Sequence, residues 1–159
     1  MAADTYTVER STRIEASPER IYARIADFRS WPQWSPWEDV DPDLERTYSG
    51  ADSGVGAVYA WSGNRRAGRG RMEIVDATEP SRVGIDLVFE KPLKARNDTS
   101  FTIAPSGGGA LVTWSMTGRR TLATKVIGLV RSMDAFLGPD FEKGLARLRA
   151  TTEQQPPSP

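Results

Sequence analysis

The sequence contains neither cysteine nor histidine. Without cysteine there is no disulfide framework, no thiol nucleophile and no thiolate metal site. Without histidine the commonest general base and metal ligand is also missing, so catalysis would fall to Asp, Glu, Tyr, Lys or Arg. These absences read as no metal and no cofactor, and they move the expectation away from enzymes. Net charge is absent as well, since 21 basic residues balance 21 acidic ones. A neutral chain exerts no global pull on nucleic acid or anionic membrane, so neither is expected as a main partner. No apolar run approaches the length that spans a bilayer, and Met1 to Arg10 show no apolar signal core. The expectation is a cytoplasmic protein with no integral membrane segment.

What is present is a run of strand patterns between two helical ones. Tyr6, Val8, Thr12 and Ile14 alternate as a first strand, with Arg10 on the same parity. Ser17-Pro18-Glu19 then opens a short helix over 18–28, because serine caps well and proline is pre-organised for the first helical position. Ile21, Ile25 and Phe28 recur at helical spacing along it. The stretch Trp31-Pro32-Gln33-Trp34-Ser35-Pro36-Trp37 carries three of the five tryptophans and reads as a short helical turn or stiff loop. Its rings either cap one end of the core or line the mouth of a pocket.

Strands are expected at 44–49, 57–62, 69–77, 82–89, 94–104 and 111–117, separated by Gly, Asn and Pro turns. With the first, that makes about seven, each with one apolar and one polar face, as in half-wet antiparallel sheets. The last element is a helix from Leu122 to Thr151, with a stripe at Val126, Val130, Met133, Leu137, Phe141, Leu145 and Leu148. Gly138-Pro139 interrupts it, and a kink or a restart at Pro139 is expected. One domain over 1–151 and a disordered tail over 152–159 follow.

A sheet with a single apolar face needs a cover, and only the C-terminal helix is long enough to supply it. The fold class is therefore α+β: a curved antiparallel sheet around a long C-terminal helix, with two short helices after the first strand. Five segments appear in order: Ile14-Glu15-Ala16-Ser17-Pro18-Glu19, Trp31-Pro32-Gln33-Trp34, Phe101-Thr102-Ile103-Ala104-Pro105, Val112-Thr113-Trp114 and Asp140-Phe141-Glu142-Lys143-Gly144-Leu145. Together they resemble the START-like, Bet v 1-like superfamily and its bacterial polyketide cyclase/dehydrase-like branch. The resemblance implies a helix-grip fold. It also implies binding of a lipid, polyketide or similar apolar molecule between sheet and helix.

Face alternation gives the candidate lining. From the sheet come Tyr59, Trp61, Met72, Ile74, Phe89, Asn97, Phe101, Trp114 and Met116; the helix offers Met133, Phe136, Leu137 and Phe141, and the loop Trp37. The same residues could simply fill the core. Asn97 and Thr99 are polar groups on an apolar face, and Asp76 continues the face of Met72 and Ile74 unless a bulge turns it outward. Three functions stay open: a carrier or sensor of a small hydrophobic molecule, a cyclase or dehydratase using Asp76, Tyr59 or Arg10, and a protein-interaction module. The last would dock through the Trp31–Trp37 loop or the apolar 122–137 segment, where a homodimer could also form. Arg65, Arg66, Arg69 and Arg71 read as a solvated turn, and Gly107-Gly108-Gly109 as a turn without phosphate-loop features.

Overall fold

Ser17 begins the first helix as its sequence demands: its Oγ accepts from the backbone N–H of Arg20 at 3.3 Å, and Pro18 occupies the first turn. In the computed structural model this helix, α1 (Pro18–Ala26), follows β1 (Thr5–Ile14) and precedes a 3-10 turn (Phe28–Gln33). The structure describes residues 5–37, 41–65, 67–91, 94–119 and 133–154. Asp27 ends α1 by accepting from Arg29 N at 2.9 Å, which redirects the chain into the 3-10 turn. The tryptophans then serve the helix they follow. Trp31 Nε1 donates to Ile25 O at 2.9 Å and Trp34 Nε1 donates to Arg24 O at 3.3 Å, satisfying carbonyls that a helix end leaves open.

Six further strands complete the sheet: β2 (Glu45–Gly50), β3 (Ala57–Ser62), β4 (Arg69–Thr78), β5 (Arg82–Lys91), β6 (Ala95–Ser106) and β7 (Gly109–Arg119). All neighbours pair antiparallel in the order β1-β7-β6-β5-β4-β3-β2. The C-terminal helix α2 (Met133–Gln154) lies along β1. This is the helix-grip arrangement that the face pattern and segment order predict. No helix among the described residues is long and apolar enough to cross a membrane.

Two details of the C-terminal helix depart from expectation, and its expected start lies outside the described residues. The helix begins at Met133 within the described residues, and 120–132, with Val126 and Val130, lie outside them. No restart occurs at Pro139, because α2 runs unbroken through Gly138-Pro139. Proline inside a helix costs about 3 kcal/mol. Here both flanks are anchored: Arg10 holds Asp134 on one side, and Phe141 stacks on Trp114 on the other. The helix also runs through Gln154 rather than ending at Thr151. Thr152 is fully buried, its carbonyl accepts from Arg20 Nη2 at 2.8 Å, and Glu153 Oε2 accepts from Glu15 N at 2.8 Å. Residues 155–159 of the expected tail lie outside the described set.

Candidate functional site

Register places the inward residues in rows that cross the sheet, and the rows differ in character. One row is Arg10, Trp114, Phe101, Val83 and Ala77. Here rings fill the space between sheet and helix. Trp114 stacks on Phe141 of α2 with centroids 4.2 Å apart and planes 4° apart, and on Phe101 at 5.0 Å. Trp34 meets both Trp114 and Phe101 edge-on at 5.8 Å. Trp37 packs edge-on against Trp114 at 5.6 Å and keeps 36% of its surface exposed. Phe101, Trp114 and Phe141 are thus brought together, at the closed end of the grip. Burial of Trp31 and Trp34 removes both rings from the docking surface that the sequence offered.

The adjacent row is Val8, Met116, Thr99, Ile85 and Ile74, all buried. Beyond it, a third row crosses all seven strands: Tyr6, Gly118, Asn97, Leu87, Met72, Tyr59 and Tyr48. Its polar members are inward. Tyr6 Oη donates to Asn97 Oδ1 at 3.4 Å across Gly118, and burial pushes the Tyr6 hydroxyl pKa up. Gly118 is what makes room: a Cβ there would overlap Asn97 Oδ1 and lie 2.8 Å from Tyr6 Oη. Tyr48 meets Tyr59 edge-on at 5.4 Å, and Trp61 lies 6.1 Å from Tyr59 and 5.8 Å from Phe89. Tyr48, Trp61, Met72, Phe89 and Leu137 are only partly buried against the core. Large apolar side chains thus remain half-open on the inward face, beside buried amide and hydroxyl groups.

Arg10 and Asp76, considered as acid–base or ligand groups, are engaged elsewhere. Arg10 makes paired bonds of 2.8 Å to both carboxylate oxygens of Asp134 and one of 3.0 Å to Glu142. These bonds raise the Arg10 pKa and hold the Asp134 carboxyl below its ordinary value. The guanidinium passes over Gly138, where any Cβ would overlap Nη2. Asp76 sits at an irregularity in β4, between the pairs Ile74↔Ile85 and Asp76↔Gly84. The extra residue shifts the parity, so Ala77 takes the inward place and exposed Asp76 accepts from Arg82 Nε at 2.9 Å.

Side chains of Met133 and Phe136 lie outside the described residues, as does Arg66. Arg69 pairs with Glu90 at 2.8 Å and Arg71 with Glu73 at 3.5 Å, as expected of a solvated basic turn. Tyr6 and Tyr48 were not among the candidate site residues. Period-2 parity already put Tyr6 inward, but β2 is polar apart from Tyr48 and gave no face to read. Two surface clefts are present, the second of them sharing Phe89 with the half-open inward cluster. One of about 550 Å³ between β1 and α2 is walled by Leu145 and Ala146 with Glu142, Arg149 and Glu153, and another of about 680 Å³ by Val88, Phe89 and Ala95 with Arg69, Glu90 and Lys94.

Comparison with known proteins agrees with this fold. A family model described as polyketide cyclase/dehydrase and lipid transport matches residues 5–153. No curated protein matches the sequence. A solved protein from Chromobacterium violaceum is 18% identical, with a TM-score of 0.66, over 94% of this chain and 98% of its own. The Aha1 dimer from Colwellia psychrerythraea is 14% identical, with a TM-score of 0.61, over 94% and 99%. Ara h 8.0201, a Bet v 1-like protein, is 12% identical with a TM-score of 0.65 over 95% and 99%. At these identities the structural likeness establishes the fold alone.

Proposed function

Because the chain belongs to the polyketide cyclase/dehydrase and lipid transport family, we propose that it holds one small apolar molecule between sheet and C-terminal helix, as a carrier or sensor. The observation that carries this reading is the half-open inward cluster of Tyr48, Trp61, Met72 and Phe89. A core closed for packing alone would bury such side chains, each worth about 1.5–3 kcal/mol on full burial. In this reading Tyr59, Trp61, Met72, Phe89, Asn97, Met116 and Leu137 contact the ligand. Ile74, Phe101, Trp114 and Phe141 form the floor and closed end beneath it, with Trp37 at the rim. Of the three residues considered for acid–base catalysis, Asp76 faces outward and Arg10 is held by Asp134 and Glu142, which favours holding over reaction.

The test uses the neutral fluorophore N-phenyl-1-naphthylamine, which brightens in apolar surroundings. The intact protein should bind it saturably near one equivalent, with energy transfer from tryptophan. Met72→Arg, which places a charge at a half-buried position of the row, should abolish binding while the far-ultraviolet dichroism stays native. Absence of saturable binding by the intact protein, or equal binding by the folded variant, would overturn the proposal.

A further inference from the structure

Resting on that reading, the polar atoms of the two inner rows restrict what kind of molecule fits. Asn97 and Thr99 are each 5% exposed. Thr99 Oγ1 is buried and has no hydrogen-bond partner. Among the described residues Asn97 engages its Oδ1 with Tyr6, and its amide nitrogen carries two donors on the same side chain. The two stand two residues apart on β6 and on the same face. Buried polar groups in native proteins are nearly always paired, so the Thr99 hydroxyl without a partner, beside the Asn97 carboxamide, marks where an occupant completes it.

Charge is equally telling. The row of Tyr6, Gly118, Asn97, Leu87, Met72, Tyr59 and Tyr48 and its neighbour of Val8, Met116, Thr99, Ile85 and Ile74 contain no ionisable acid or base other than tyrosine. The nearest cation in the next row, Arg10, is already paired with Asp134 and Glu142. A carboxylate or phosphate brought here would lose its water without gaining a countercharge among the described residues.

We infer that Asn97 and Thr99 form a subsite for an uncharged oxygen, so that the ligand is an apolar alcohol or ketone rather than a fatty acid or other organic anion. The amide nitrogen donates to that oxygen, and the Thr99 hydroxyl donates to it or accepts from an alcohol. Tyr6 fixes the carboxamide in place through Oδ1.

Displacement of bound N-phenyl-1-naphthylamine by 1-decanol, 2-decanone and decanoate at pH 8 tests this. The alcohol and ketone should displace the dye at concentrations at least about tenfold below decanoate, since a site built to hydrogen-bond one group discriminates strongly. Thr99→Val, which removes a hydroxyl that has no partner in the free protein, should fold with an unreduced thermal midpoint yet bind 1-decanol more weakly. Asn97→Leu should weaken both neutral ligands. If the dye binds but decanoate competes as well as decanol, the headgroup inference is overturned and the carrier reading stands. An unchanged decanol affinity in Thr99→Val and Asn97→Leu overturns it in the same way. If the dye does not bind at all, both fall.

Discussion

Replacing Gly118 by alanine isolates the packing around the polar row. The backbone at Gly118 is not in the left-handed region, so alanine is conformationally acceptable there. On that ground alone the change would stabilise the protein by about 0.4–1 kcal/mol through the unfolded chain. The new Cβ, however, would overlap Asn97 Oδ1 and approach Tyr6 Oη to 2.8 Å. Overpacking of this sort costs about 1–3 kcal/mol, and losing the Tyr6–Asn97 bond adds about 1 kcal/mol. The expected net loss is about 2 kcal/mol. For a chain of 159 residues this lowers Tm by about 4–8 °C. Urea titration of Gly118→Ala, Asn97→Ala and the double variant gives the coupling directly. Without the Asn97 carboxamide, only the tip of Tyr6 must move, and Gly118→Ala should cost less than about 1 kcal/mol. Costs equal in the two backgrounds within about 0.3–0.5 kcal/mol would refute the assigned clash.

Three further outcomes follow from the same geometry. Phe141→Ala removes the ring stacked on Trp114 at 4.2 Å and should cost about 3–5 kcal/mol in a urea titration; a loss below about 1 kcal/mol would show that the closed end contributes little. Asp134 has a carboxyl pKa lowered in the fold by its hydrogen bonds to Arg10, so its stabilisation is complete above about pH 4 and fades as pH falls further. Asp134→Asn should therefore be less stable than the native protein at pH 6, with the gap narrowing as pH falls below about 4; a gap that does not narrow in acid contradicts the ion-pair assignment. Asp76→Ala, at an exposed irregularity of β4, should change stability by no more than about 1 kcal/mol and leave dye binding untouched; loss of binding would return Asp76 to the site.

The strands and the identity of their inward face were legible in the sequence because antiparallel pairing enforces a period of two. Val83, Ile85 and Leu87 are buried on one face of β5, and Asn97, Thr99, Phe101 and Ile103 on one face of β6, as alternation alone required. Local chemistry also set α1, whose Ser17 cap and Pro18 start need nothing beyond neighbouring residues. Tertiary structure decided the rest. A single extra residue in β4 turned Asp76 outward, and no side-chain pattern announces a bulge. Arg10 kept its inward parity, yet two carboxylates on α2, more than a hundred positions away, drew it into ion pairs. Pro139 stays inside a helix because contacts on either side outweigh the lost backbone bond. Division of the grip into a ring-filled end and a polar, half-open row needed the cross-strand register. Sequence gives each strand its two faces, but only pairing determines which residues of seven strands share one line.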